Sequence, residues 1–414
     1  MGALEKIIGY ESIKEELKQI CDMFKNKEKY QSMGAALPKG VLIYGDHGVG
    51  KTFMVKCLLE ECGVDSYLID KSTTPYELAE DLSSIFAEAK ESAPAIIFID
   101  DLDSYESCYD KLQAEIDKCA DADVLFIATI DEEDSLPASL LSIGRFCKKI
   151  EVKSPSDRDL YEIINHYLAD KPVAKDLSIE DLAMMLSDRP CAEVKAIINE
   201  AAINAGFSGE KEITINDFVK VCLRENYTSP DIYTCVSDSE VRRIAIHEAG
   251  HLVINEVLRP GSVGLASVRT DGRDCLNGFV WKCKALPKRT HNILANLGGK
   301  VAEELYYSET CASGCYSDLR KAVHQLRLGI MDNGTCGLGM LDVSIDDMSE
   351  STKTRNEAVI YAQMETYIFK TRNILLNNRE FLEKAADLLV EKKVLLYSDI
   401  KKLKESLTIT QTGI

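Results

Sequence analysis

The stretch Gly45-Asp46-His47-Gly48-Val49-Gly50-Lys51-Thr52 fits the pattern G-x-x-x-x-G-K-[ST], and it narrows the possible folds more than any other feature of the chain. Such a loop works between an incoming strand and an outgoing helix, where glycines let backbone N–H groups face phosphate oxygens. The flanks agree: apolar Val41–Tyr44 precedes it and amphipathic Phe53–Glu61 follows. Lys51 then reaches the β/γ-phosphates of ATP, and the Thr52 hydroxyl binds Mg²⁺. His47 reads as a solvent-side position within the loop. Further short apolar runs, Ser66–Ile69, Ala95–Ile99, Val124–Ile130 and Lys149–Val152, alternate with helical patterns such as Tyr76–Lys90. That order predicts a mainly parallel sheet covered by helices. Ala95–Ile99 ends in Asp100 and Asp101, placed to hold the Mg²⁺ shell and to orient an attacking water, respectively.

A chain of 414 residues is too long for one core. The patterning divides it into an α/β nucleotide-binding domain over 1–153, a small helical domain over 154–225, a linker over 226–236 containing Pro230, and a mostly helical domain over 237–414. One apolar stripe of the second domain is Leu160, Ile163, Ile164 and Tyr167; another is Val194, Ile197, Ile198 and Ala201. Within the last domain, Leu265–Lys284 reads as strands with turns, and the chain from Thr290 onward reads as mostly helical. A net charge of −19 repels nucleic acid and anionic lipid on average. The 14 cysteines, without C-x-x-C spacing or a secretory leader in Met1–Lys25, point to buried free thiols in a reducing cytoplasm. A structural zinc cluster from Cys275, Cys283, Cys311 and Cys315 is the lesser alternative. No apolar run reaches the roughly 18–20 residues that span a bilayer, so the expectation is a soluble chain with no intrinsic membrane span.

The second chemical motif lies in the last domain. Ser237 and Glu240 have capping-box spacing and open a helical run to about Leu258. Inside it, His247-Glu248-Ala249-Gly250-His251 is H-E-x-x-H. A separation of four places both imidazoles on one helix face, fit for one zinc ion, with Glu248 beside the open position as general base. A third ligand is required. Spacing leaves Glu303, Glu304, Asp318 and His324 as candidates.

With these motifs in hand, the order of parts resembles the FtsH family of ATP-dependent zinc proteases. The likeness runs through Pro38-Lys-Gly-Val-Leu42, Ala93-Pro-Ala-Ile-Ile-Phe-Ile-Asp100, Gly144-Arg-Phe146, His247–His251, Leu297-Gly-Gly-Lys-Val-Ala-Glu-Glu304 and Ser317-Asp-Leu319. The resemblance implies an α/β AAA+ P-loop domain with a helical lid, followed by a mainly α-helical zinc peptidase domain. It implies Asp318 as the third zinc ligand, Glu303 and Glu304 as structural or supporting residues, and a homo-hexamer in which Arg145 reaches the neighbour's nucleotide. Gly278-Phe-Val-Trp281 then corresponds to the strand that pairs with extended polypeptide substrates.

The chain also departs from the family pattern. Asp101 stands where the family has Glu; one methylene fewer draws the carboxylate back by about 1.5 Å, a scale to which positioning is sensitive. Ile130 replaces a polar Asn, and Ser142 replaces an arginine upstream of Arg145. Asp70–Glu77 is shorter than the substrate-gripping loop, with Thr74-Pro75-Tyr76 as its substitute. The expectation is a zinc endopeptidase for unfolded or flexible proteins with a partly degenerate ATPase module. A non-proteolytic ATP-binding remodeller or scaffold, and an ATP-independent peptidase, are the alternatives.

Overall fold

The computed structural model describes residues 2–35, 38–227, 237–268, 278–308, 312–331 and 350–411. They form two compact units: Met1–Lys171 with Asp188–Asn199, and Pro172–Ser187 with Glu200–Ile414.

In the first unit, β1 (Gly40–Tyr44), β2 (Asp65–Ile69), β3 (Ala95–Ile99), β4 (Val124–Ile130) and β5 (Lys148–Glu151) form one parallel sheet in the order β2-β3-β4-β1-β5. Every residue of β3 and β4 is buried. A parallel strand covered on both faces needs a continuous apolar run rather than alternation, and both segments have one. The helices of this unit are α1 (Glu11–Lys25), α2 (Lys27–Ser32), α3 (Lys51–Cys62), α4 (Pro75–Glu91), α5 (Tyr109–Lys118) and α6 (Asp157–Leu168). Phe86 of α4 stacks on Phe126 of β4 with ring centroids 5.4 Å apart, inside a core that includes Leu42, Ile97 and Ala128. Burying each large apolar side chain stabilises by about 1.5–3 kcal/mol. The packing brings the carboxyl ends of β1, β4 and β3 side by side, the edge where α/β folds place ligands.

Helix α7 (Ile179–Leu186) belongs to the second unit, α8 (Cys191–Phe207) begins in the first unit and ends in the second, and α9 (Ile215–Tyr227) lies in the second. Helix α9 runs into the start of the expected linker, whose residues 228–236 lie outside the described residues. There follow α10 (Asp238–Leu258), α11 (Arg289–Tyr307), α12 (Ala312–Met331), α13 (Glu350–Asn377), α14 (Arg379–Lys392) and α15 (Tyr397–Glu405). Helix α10 starts with the expected capping box: the Ser237 hydroxyl accepts from the Glu240 N–H, and the Glu240 carboxylate accepts from the Ser237 N–H. Ala245, Ala249, Leu252 and Val253 of α10 share a core with Leu294, Leu297, Val301 and Ala302 of α11 and with Leu382 and Ala386 of α14. The first two helices meet at glycines. A Cβ on Gly250 would lie 2.4 Å from the Gly298 carbonyl oxygen, and one on Gly298 would lie 2.7 Å from the Gly250 carbonyl oxygen.

A small antiparallel sheet, ordered β7-β6-β8, joins β6 (Val263–Ser267), β7 (Phe279–Lys282) and β8 (Val394–Leu396). Strand β8 is a short exception within the stretch from Thr290 onward, which is mostly helical as expected. Three residues are too few to show a period, and they become a strand because Leu265–Ser267 of β6 offers them an edge. Among the described residues, no helix is long and apolar enough to cross a membrane.

Candidate active site

Helix α10 delivers His247 and His251 one turn apart, and α12 delivers Asp318 to the same point. The two Nε2 atoms are 3.1 Å apart, and the Asp318 Oδ2 lies 3.3 Å from the Nε2 of His247 and 3.1 Å from that of His251. A tetrahedral zinc with bonds of 2.0–2.1 Å requires donor–donor edges of about 3.3 Å, so the near-equilateral triangle fits such an ion. The outer ring nitrogens fix the direction of both imidazoles. His247 Nδ1 is 2.7 Å from Glu303 Oε1, and His251 Nδ1 is 2.7 Å from the Ala295 carbonyl oxygen. Each ring therefore donates outward and turns Nε2 inward, the arrangement that raises ligand basicity. Arg243 Nε donates to the other Glu303 oxygen at 2.8 Å, which aligns that carboxylate.

Electrostatics agree with a cation site. Burial raises the Asp318 carboxyl, but the imidazoles of His251 and His247 outweigh it and hold the group well below the usual carboxylate range. Burial disfavours the charged form of His247, yet hydrogen bonds to Asp318, Cys315 and Glu303 lift it well above the ordinary histidine range. Glu248 is 4% exposed, and burial pushes its carboxyl upward against the pull of the two imidazoles. Close packing builds this pocket as much as charge does. A Cβ on Gly299 would fall 2.4 Å from His247 Nε2, and one on Gly278 would fall 2.4 Å from Glu248 Cγ. The pair Gly298-Gly299 is thus explained residue by residue: one glycine admits α10 and the other admits the imidazole.

These groups line a cavity of about 300 Å³, walled on one side by Gly278, Phe279, Val280 and Lys282. Strand β7, which carries most of that wall, lies at an edge of its sheet. Burial lowers the Lys282 ammonium below the usual lysine range. Of the ligand candidates left open by spacing, Asp318 is the one brought to both inner Nε2 atoms, while Glu303 meets the outer Nδ1 of His247. Glu304 is turned to Lys300 and Arg372, and His324 lines a separate shallow depression with Tyr316 and Arg320. Cys315 approaches Glu303 at 3.7 Å, forming with His247 a second group of ligand-type atoms on the outer side of that ring. Cys283 is buried, whereas Cys275 and Cys311 lie outside the described residues.

In the first unit, Gly45–Thr52 leaves β1 and enters α3. Positive φ at Gly45, Gly48 and Gly50 (145°, 82° and 103°) curls the loop in a way that other residues resist. Asp46 and His47 are exposed, while Val49 is buried. Thr52 Oγ1 and Thr129 Oγ1 both donate to Asp100 Oδ1, at 2.7 and 2.6 Å. Hydroxyl and carboxylate thereby share the point where a cation would sit beside the loop.

Residues 41–154 match the family model described as ATPase family associated with various cellular activities (AAA). Residues 234–403 match peptidase family M41. One chain thus joins an AAA module to an M41 module, and its relatives with that order of parts are FtsH proteins. It is 29% identical to the ATP-dependent zinc metalloprotease FtsH of Streptobacillus moniliformis over 96% of this chain and 63% of that protein. It is 28% identical to the FtsH of Leptotrichia buccalis over 96% of this chain and 56% of the relative, and 28% identical to FtsH 1 of Phytoplasma mali over 96% and 70%. The chain thus spans about 63% and 56% of the lengths of the first two relatives.

The AAA module holds a feature the sequence reading missed. Tyr10, Val49, Phe53, Ile163, Tyr167 and Cys191 surround a cavity of about 330 Å³ against the phosphate loop. An apolar, aromatic-lined recess there suits a nucleotide base. Its wall is fastened by the Tyr10 hydroxyl, which donates to the Lys153 carbonyl at 3.0 Å. These residues are scattered along the chain, so no local spacing marks them. At the positions expected to depart from the family pattern, Asp101 is ion-paired with Lys71 at 2.6 Å, and Ile130 is fully buried. Ser142 donates to the Ser139 carbonyl at 2.8 Å. Arg145 forms a bidentate pair with Asp117 of the same chain, at 3.0 and 2.7 Å, and donates to the Ser139 carbonyl at 2.6 Å. Thr74 and Pro75 are used as the cap and first residue of α4, leaving Tyr76 72% exposed.

Proposed function

We propose that the chain is a zinc-dependent endopeptidase acting on unfolded or flexible polypeptides, governed by an AAA module that binds ATP and Mg²⁺ and hydrolyses it slowly. The observation that carries the peptidase reading is the triangle of His247, His251 and Asp318, with edges of 3.1–3.3 Å, opening on a cleft beside Glu248. A zinc ion held there supplies Lewis acidity toward water and a carbonyl oxygen. Glu248, one residue from a ligand and shielded from solvent, takes a proton from water and returns it to the leaving amine. Glu303 and the Ala295 carbonyl hold the outer Nδ1 atoms and so aim both Nε2 atoms at the site. Strand β7 at its sheet edge provides a template beside which an extended substrate adds as a further strand.

Support for slow turnover comes from Asp101, tied to Lys71, and from Ile130, which places an apolar side chain where the family has a polar one. A homo-hexamer, with Arg145 released from Asp117 to face a neighbouring nucleotide, completes the reading. Cleavage of unfolded casein tests the peptidase. Glu248→Gln should abolish cleavage while zinc content stays at one ion per chain, because every ligand remains. Full activity in that variant would remove the assignment of the base.

A further inference from the structure

The phosphate loop already holds an anion of its own. Lys51 is 6% exposed, and an ammonium has three N–H donors. The Gly45 carbonyl oxygen takes one at 2.6 Å and the Asp46 carbonyl oxygen another at 3.1 Å. The third goes to Asp131 Oδ1 at 2.7 Å. Asp131 directly follows β4, the strand lying between β1, which carries the loop, and β3, which ends in the cation-side carboxylate Asp100. Its side chain, 46% exposed, meets the Lys51 ammonium, the group expected to hold the outer phosphates of a nucleotide. The main chain at this residue is tethered to the loop, its carbonyl oxygen accepting from the Gly45 N–H at 3.2 Å. Lys71, a cation near this edge, is ion-paired with Asp101 at 2.6 Å and feels Asp100 and Asp131 only as weaker, more distant charges.

We propose that Asp131 occupies the terminal-phosphate seat on Lys51 and makes the module selective for nucleoside diphosphate over triphosphate. A diphosphate is cradled by the loop N–H groups and leaves the Lys51–Asp131 pair in place. A triphosphate must break that pair and bring its own negative charge beside a carboxylate that stays within a few ångströms, an unfavourable contact at such separations. This rests on the nucleotide-binding reading given above and adds to it which phosphate chain the module retains.

Calorimetric titration of the full chain with Mg²⁺-ADP and with a Mg²⁺-bound non-hydrolysable ATP analogue tests it. The wild-type chain should bind ADP about ten-fold or more tightly than the analogue. Asp131→Asn, which keeps shape and removes charge, should tighten the analogue by about ten-fold and ADP by less than about three-fold. ADP binding by the variant confirms that its site is folded. Equal affinities in the wild type, or an unchanged ratio in Asp131→Asn, would overturn the role of Asp131 while sparing the nucleotide reading. Absence of binding by either ligand to the wild type would overturn both.

Discussion

At the scale of single residues, the metal pocket depends on groups that never touch the ion. Glu303 receives the His247 ring on one oxygen and Arg243 on the other, so it both orients and polarises a ligand. Replacing such a partner costs about 10–100-fold in metal affinity. Glu303→Gln is therefore expected to weaken zinc binding by about that factor in a chelator competition while leaving helix content unchanged. Unaltered competition would mean that packing alone aims the ring. Legibility in the sequence divides along the same line. His247, Glu248 and His251 announce themselves because a helix repeats every four residues. Asp318 did not: it reaches the site from a separate helix, and only resemblance singled it out from Glu303, Glu304 and His324. Asp131 is the first of four consecutive acids after a strand, and its meaning appears only once β4 is seen between β1 and β3.

At the scale of elements, the parallel strands were readable because double-sided burial demands uninterrupted apolar runs, and Ala95–Ile99 and Val124–Ile130 match their strands residue for residue. Ser237 and Glu240 likewise marked the first turn of α10, since a cap is a local device. Strand β8 was not singled out, because its existence is decided by β6 and not by Val394–Leu396 themselves. The crossing of α10 and α11 was equally hidden, as a glycine in a helix pattern looks like a weakness. Here it is a contact surface, with Gly250 facing the Gly298 backbone. Gly250→Val should therefore destabilise the M41 module by on the order of 1–3 kcal/mol or more, read as a lowered denaturant midpoint. A midpoint equal to wild type would show that the helices move apart without cost.

For the whole molecule, two compact units carry two different ligand sites, the phosphate loop in one and the metal triangle in the other. A ligand that binds only folded protein stabilises by RT ln(1 + [L]/Kd), about 4 kcal/mol at a thousand-fold excess over Kd. Differential scanning calorimetry should accordingly resolve two transitions. Zinc removal by chelation should lower one midpoint, and Mg²⁺-ADP should raise the other, each leaving its companion in place. One transition moving with both ligands would show that the units melt as a single cooperative body.

The position of β7 at the rim of its sheet carries one last implication. A guest segment lying alongside it is read through amides and carbonyls, with alternate side chains pointing away from the floor. A coiled helix cannot present that ladder, and proline lacks the hydrogen to join it. Selection then falls on how readily a stretch of client straightens, and hardly on which letters it contains. On the proposed peptidase function, clients are sorted by local melting.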